Sequence, residues 1–241
     1  IFLAGDAAHL NHPAAGLGLN TGLGDAVDLG WKLSSTLAGW GGVRLLDSYE
    51  SERRPVGVRN IGHASDSHNN ERQQPTHPEI AMDTAAGAEA RRKMGEELVR
   101  VQTRRVITDG LALGYQYEPS PIVCGNGAAP SPSSTFEYRP TTMPGSRAPH
   151  AWLSDRRSTI DLFGNGFTLL RFGEATAAPA AMERAFAERG VPLNTVGIVD
   201  PAIAALYERP LVLVRPDGHV AWRGEEEPSD PLAVATEIEQ G

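Results

Sequence analysis

The sequence predicts a mixed α/β protein built in two parts. Three observations carry this prediction: a glycine-rich run directly after an apolar opening, long segments of helical periodicity, and alternating strand-like and helical segments near the end. We place the first part at residues 1–120, a linker or covering loop at residues 121–146, and a compact α/β domain at residues 147–241.

The first part opens with a strand and a loop. Residues 1–4, IFLA, have the apolar composition of a buried strand, and residues 5–19 are typical of a glycine-rich loop. Asn20 or Thr21 can cap the helix that follows, because their side chains accept hydrogen bonds from first-turn amides. Asp25 would then lie in the first turn, where the helix dipole favours a carboxylate.

Two further helices complete the first part. The run LLDSYESERR predicts a helix that Pro55 either breaks or follows with a new one. Residues 65–85 are polar and predict a loop. The charged run at residues 85–107 predicts a long helix. We expect its basic residues, and the pair Arg53 and Arg54, on solvated helix faces; a domain or subunit contact for one such pair is the alternative.

The second part alternates strands and helices. Strand candidates are GYQYEPSPIV before the linker, then HAWL, GFTLLRF and TVGIVD. PAAMERAFAERG predicts an amphipathic helix closed by Gly190, and DPLAVATEIEQ predicts a final helix. PLVLVRPDGHVAWRG predicts a hairpin, since Pro216, Asp217 and Gly218 form a turn between two apolar runs.

Composition narrows the class of protein. The chain has 241 residues and a formal net charge of −8, which argues against a nucleic-acid binder. No apolar run approaches the ~20 residues needed to span a bilayer, so we expect no membrane partner. Cys124 is the only cysteine, which excludes an internal disulfide and favours a cytoplasmic location.

The glycine-rich loop has the parts of a ligand site. Asp6 follows a strand, where open α/β folds bind ligands, and its carboxylate can accept hydrogen bonds from sugar hydroxyls. Gly16 and Gly18 let backbone amides approach a flat or anionic group, and the next helix directs its positive end at the same place. The alternative is a tight turn whose glycines only allow sharp bends.

His9 and His12 also invite a metal interpretation. A metal site needs more ligands than this loop offers, so we predict no metal.

The full pattern resembles the second flavin-binding motif of the FAD-dependent aromatic hydroxylases, the group typified by para-hydroxybenzoate and phenol hydroxylase. GDAAH, Pro13, GLGLN and DAVDLGWKL match that family, and LLDSYESERRPV matches its usual continuation. SRAPHAWL, DLFGNGFTLLRF and LVRPDGHVAWRG resemble the thioredoxin-like C-terminal domain of its polyketide and phenol-type members.

The resemblance implies a cofactor site and a reaction. Asp6 would hydrogen-bond the ribityl chain of FAD, and Pro13 with the backbone of the following turn would line the isoalloxazine ring. The implied cofactor-binding residues are Gly5, Asp6, Pro13, Gly16, Leu17, Gly18, Leu19 and Asn20. NADPH or NADH would reduce the flavin, and an aromatic substrate, phenolic or polyketide, would be hydroxylated.

The chain departs from the family pattern at two loop positions and lacks two larger parts. His12 and Ala15 stand where the family often has proline and glycine. The family's GxGxxG fingerprint and its substrate-covering sheet are absent, so we expect the C-terminal part of a hydroxylase that needs a missing N-terminal FAD-binding part. A non-catalytic module with a relic flavin motif stays an alternative. Because the thioredoxin-like half lacks CxxC, we expect it to be a scaffold or a homodimer contact.

Overall fold

The computed structural model describes residues 1–42, 44–72, 77–125, 134–173 and 179–240. The helices of this part of the chain are α1 (Gly18–Leu37), α2 (Ser48–Arg72), α3 (Ala85–Val106), α4 (Asp109–Leu113), α5 (Ala180–Glu188), α6 (Pro201–Tyr207) and α7 (Pro231–Gln240). The strands are β1 (Phe167–Phe172), β2 (Leu193–Ile198), β3 (Leu211–Val214) and β4 (Val220–Gly224). The mixed α/β class is therefore confirmed.

The second helix, α2, is not interrupted at Pro55 as the sequence predicted. α2 continues through Pro55 and ends only at Arg72, so it also occupies the start of the predicted loop at residues 65–85. An internal proline costs about 3 kcal/mol in an isolated helix. Here two nearby residues, Arg53 and Val56, are buried, and their tertiary contacts offset that cost.

The rest of the predicted loop is only partly described. Residues 73–76 lie outside the described residues, and Pro78–Ala81 forms a 3-10 turn. The long helix α3 is confirmed, and the Thr84 hydroxyl caps it by accepting from the Gly87 amide at 3.2 Å.

The predicted strands GFTLLRF and TVGIVD and the two strands of the predicted hairpin assemble into one mixed sheet of order β2-β1-β3-β4. β1 and β2 are parallel, with Phe167 opposite Leu193, and α5 connects them. The antiparallel hairpin β3–β4 confirms the turn prediction and pairs with β1 through β3. The sequence did not indicate α6, which Asp200 caps through the Ala202 amide. The thioredoxin-like assignment and the two boundaries between the three predicted segments stay predictions.

Three other strand predictions are wrong. Residues 114–123 contribute only an isolated bridge from Gln116 to Ser146, and HAWL only one from Trp152 to Ser158. Residues 1–4 belong to no strand either, because no described segment pairs with them. An apolar segment forms a strand only where another strand pairs with it, and apolar composition alone does not supply that partner.

The core covers both faces of the sheet. One face packs against α5 and α7 through Phe186 and Ile238, and the other packs against α6 through Tyr207. Trp31 of α1 and Leu45 belong to the first of these clusters. The helical part and the sheet therefore share the first of these two apolar clusters.

A buried cluster of charges reinforces that junction. Arg215, which follows β3, is completely buried and contacts Glu52 of α2 at 2.9 Å, Asp28 of α1 at 3.2 Å and Asp217 at 2.6 Å. Lys32 donates to Asp28 at 2.8 Å and to Glu52 at 2.7 Å. A buried charge that loses its partner is strongly destabilising, so this cluster fixes the orientation of the β3–β4 hairpin against α1 and α2.

Among the described residues, no helix is both long enough and apolar enough to cross a membrane.

Candidate cofactor site

The glycine-rich loop is built from two tight turns. Gly5 has φ 59° and begins a 3-10 turn in which its carbonyl accepts from the amides of Ala8 at 2.8 Å and His9 at 2.9 Å. A second turn begins at Pro13, whose carbonyl accepts from the Gly16 amide at 3.1 Å. Gly16 has φ 65°, a conformation in which a side chain is strained, so glycine is required at both turning points.

Asp25 fixes the loop from behind. Its Oδ2 accepts from the Gly5 amide at 2.9 Å and lies 2.6 Å from His9 Nε2, while its Oδ1 accepts from Arg53 Nε at 2.9 Å. The predicted first-turn position of Asp25 is wrong: it lies further along α1 and is 1% exposed. The carboxylate thus holds both ends of the first turn against α1 and α2.

Arg53 is the counter-charge, and its predicted solvated position is wrong. It is 4% exposed, and its Nη2 donates to the Thr21 carbonyl at 3.1 Å. Burial opposes the charged form, but Tyr117, Tyr115 and Asp25 outweigh that effect and raise the pKa of the guanidinium above its ordinary value. Arg53 therefore stays charged beside the loop.

The start of α1 is open to a ligand. The helix begins at Gly18 with Leu17 as the capping residue, so the prediction that Asn20 or Thr21 caps it is wrong. The Leu17 side chain carries no oxygen that could accept from the first-turn amides. The Asn20 side chain does not cap them either, because its Nδ2 donates to the Gly16 carbonyl at 3.2 Å. The first-turn amides of a helix have no intrahelical partner, and they concentrate the positive end of the dipole there.

The residues predicted to bind the cofactor lie along one exposed edge. Exposed among them are Asp6, Pro13, Gly16, Leu19 and Asn20; half-buried are Gly5 and Gly18; buried is Leu17. The Asp6 carboxylate accepts no hydrogen bond from any described residue, so it is free to take a hydroxyl. Their roles toward FAD stay predictions.

The local structure fits a flat, polar cofactor. A Cβ built at Gly16 would meet nothing within 4 Å, so the space beside the turn is open. His9 Nδ1 and the side-chain amide of Asn11 are buried and lack hydrogen-bond partners among the described residues. Unsatisfied polar groups beside an open backbone are typical of a site that a bound group completes.

The histidines of the loop have other contacts. His9 faces Asp25, and the His12 ring stacks on the His68 ring with centroids 3.8 Å apart. Within the described ranges, no three histidine, cysteine or acidic side chains come together in a way that could hold a metal ion.

A cavity of about 530 Å³ lies behind the loop. Phe2 and Leu3 form part of its apolar wall, while His9, Asp25 and Arg53 form its polar wall. Tyr49 also lines it and donates its hydroxyl to the Leu3 carbonyl at 2.7 Å. Burial raises the pKa of Tyr49 to about 12, so the hydroxyl keeps its proton.

Sequence reasoning missed that Asp25 and Arg53 support the loop, and that Asp28 belongs to the buried cluster of charges beside it. A signal was present: Thr21, Asp25, Asp28 and Lys32 recur at the spacing of one helix face, and that face also carries Trp31. Charged residues on the face that packs inward indicate buried partners.

Comparison with known proteins agrees with this geometry. The model of the FAD binding domain family matches residues 1–64, and that of the aromatic-ring hydroxylase C-terminal family matches residues 141–239. The first match contains the whole loop and α1, and the second contains the whole sheet.

Individual proteins that the chain resembles include two monooxygenases. The chain is 37% identical over 240 residues to the FAD-dependent monooxygenase apdD of Emericella nidulans, covering 93% of this chain and 38% of that protein. It is 39% identical over 247 residues to the tetracenomycin B2 monooxygenase-dioxygenase of Streptomyces olivaceus, covering 97% of this chain and 41% of that protein.

A solved structure agrees over nearly the whole chain. The rebeccamycin biosynthetic enzyme RebC with reduced flavin superposes with a TM-score of 0.90 at 45% identity, covering 99% of this chain and 44% of that one. The chain thus spans about two fifths of the length of these relatives.

The loop and α1 thus match an FAD binding domain, and the sheet matches the C-terminal domain of aromatic-ring hydroxylases. The chain belongs to the family of FAD-dependent aromatic-ring hydroxylases and corresponds to a portion of such enzymes.

Proposed function

We propose that this chain forms the isoalloxazine side of the FAD site in a monooxygenase that uses NAD(P)H to hydroxylate an aromatic substrate, phenolic or polyketide. The observation that carries the proposal is the outward-facing edge of residues 13–20, with an uncapped helix start behind it and Asp25 holding the loop in place. When bound, FAD supplies the redox chemistry that moves one oxygen atom from dioxygen to the ring.

The residues of this chain would hold and polarise the cofactor. Asp6 would accept a hydrogen bond from a hydroxyl of the ribityl chain. The amides of Leu19 and Asn20, at the positive end of α1, would face the pyrimidine edge of the ring and favour negative charge there. Pro13 and Leu19, both exposed, would cover the flavin and exclude water.

α1 carries an exposed apolar face that we expect another part of the complete protein to cover. Leu23, Val27 and Leu37 are 55%, 55% and 87% exposed and lie on one side of the helix. Exposed apolar surface of this kind marks an interface. We assign this face to the remaining FAD-binding part, since the chain spans only 38% to 44% of the relatives compared above.

The test is FAD binding and NAD(P)H oxidation by the complete protein. Gly16→Ala adds a methyl group on the flavin side, where φ is 65°. Gly39→Ala is its matched control, because Gly39 has φ 83°, lies beyond the end of α1, and also has no atom within 4 Å of its Cβ. Each change costs about 1–2 kcal/mol of backbone strain.

Only Gly16→Ala should weaken FAD retention. A complete protein that binds no FAD, or equal FAD affinity in the two variants and the wild type, would contradict the proposal.

A further inference from the structure

We propose that Tyr117 is a positioning residue that couples the β3–β4 hairpin to the glycine-rich loop. The loop's role toward FAD rests on the proposed function, but the coupling itself concerns only contacts within this chain. Through this coupling, the C-terminal domain would help to hold the glycine-rich loop in place.

The first step of the coupling runs from the loop to Arg53. Gly5 and His9 contact Oδ2 of Asp25, and Oδ1 of the same carboxylate accepts from Arg53. Since Asp25 and Arg53 are both buried, a displaced guanidinium would displace the carboxylate, and the loop would lose its support.

The second step runs from Arg53 to Tyr117. Arg53 Nη1 donates to the Tyr117 hydroxyl at 3.1 Å, whereas the Tyr115 hydroxyl is more distant, at 3.5 Å. Tyr117 is 2% exposed, and burial raises its pKa well above the ordinary value. The hydroxyl therefore stays neutral at neutral pH and accepts from Arg53.

The third step runs from Tyr117 to the hairpin. Its ring lies on the His219 ring with centroids 4.3 Å apart, and the Arg215 guanidinium lies 5.1 Å from its centre. Arg215 is in turn bound to Glu52, the neighbour of Arg53 in α2. The hairpin thus holds Tyr117 from one side while Tyr117 holds Arg53 from the other.

The experiment compares Tyr117→Phe with Tyr207→Phe in the complete protein without FAD. Tyr207 is a matched control: it is completely buried and donates its hydroxyl to the Pro149 carbonyl at 2.6 Å, on the far side of the sheet from α5 and α7. Hydrogen exchange at the Gly5 amide, read by NMR, reports directly on the hydrogen bond to Asp25.

We expect Tyr117→Phe to speed exchange at Gly5 about fivefold, the effect of losing one ordinary hydrogen bond, and Tyr207→Phe to leave it within about twofold. Equal rates in the wild type and Tyr117→Phe, or equal acceleration in both variants, would overturn the coupling.

The same variants, tested with FAD, distinguish a failure of the coupling from a failure of the proposed function. With FAD bound, Tyr117→Phe should weaken FAD binding about fivefold and shift the visible flavin spectrum, with Tyr207→Phe unchanged. Failure of the wild type to bind FAD would refute the proposed function while the exchange result stands. FAD binding without any difference at Gly5 would refute the coupling alone.

Discussion

Replacing Asp25 by Asn tests whether one buried carboxylate supports the cofactor loop. The change removes the counter-charge of Arg53 and also disturbs the contacts to Gly5 and His9, all of which lie within 2.9 Å of the carboxylate. Asp25 and Arg53 are 1% and 4% exposed, so water does not replace the lost partner.

The magnitude follows from that burial. Removing one partner of a buried ion pair costs about 3–5 kcal/mol. Because the carbonyl oxygen of Asn can still accept from Arg53, we expect a loss of stability at the lower end, about 3 kcal/mol. Since domains are stable by only about 5–15 kcal/mol, the urea midpoint should fall clearly. Unfolding is followed by tryptophan fluorescence, with Trp31 reporting on α1 beside the site.

The control is Asp155→Asn. Asp155 pairs with Arg157 at 2.7 Å on the surface, so its replacement should leave the midpoint unchanged. If Asp25→Asn lost less than about 1 kcal/mol, the value of an ordinary hydrogen bond, the account of Asp25 as the support of the loop would be refuted.

Two further predictions concern single carboxylates. Asp6→Ala in the complete protein should weaken FAD binding by about 1–3 kcal/mol, because a ribityl hydroxyl loses its hydrogen-bond acceptor. The control Asp83→Ala should leave the affinity for FAD unchanged. Equilibrium dialysis measures both affinities, and equal values for the two variants would show that Asp6 does not bind the cofactor. Burial raises the pKa of Asp28 from 3.8 to about 7, so the folded protein binds a proton in this window that the unfolded chain releases. The contribution of Asp28 to stability therefore falls as the pH rises from 3.8 toward 7, and Asp28→Asn should abolish it. Urea unfolding of both proteins across this range checks the sign, and parallel stability curves would contradict it.

The second part of the fold was largely predictable because its signals are local. GFTLLRF, TVGIVD and the hairpin around Pro216, Asp217 and Gly218 carry strand and turn chemistry within a few residues. The helix closed by Gly190 was predicted for the same reason: the residue has φ 69°, which glycine adopts without strain.

The errors arose where distant contacts decide the structure. Proline disfavours a helix interior, but contacts of Arg53 and Val56 keep α2 intact around Pro55. Residues 114–123 have strand-like composition, yet only Gln116 makes an isolated bridge. Long-range pairing of this kind leaves no mark within a short window of sequence.

The candidate site divides in the same way. The glycine loop was predicted because its backbone demands are local. The support by Asp25 was not, because its ion pair with Arg53 joins positions 28 residues apart. Composition alone placed Arg53 on a solvated face, and only the packing of α1 on α2 reveals its role.

The most direct test of the account is a crystal structure of the complete protein with FAD. The account predicts the isoalloxazine ring against residues 13–20, with the amides of Leu19 and Asn20 within hydrogen-bond distance of its pyrimidine edge and Asp6 bonded to the ribityl chain. A flavin ring seated away from this edge, with Asp6 still in solvent and the Gly5–Asp25 bond intact, would contradict it.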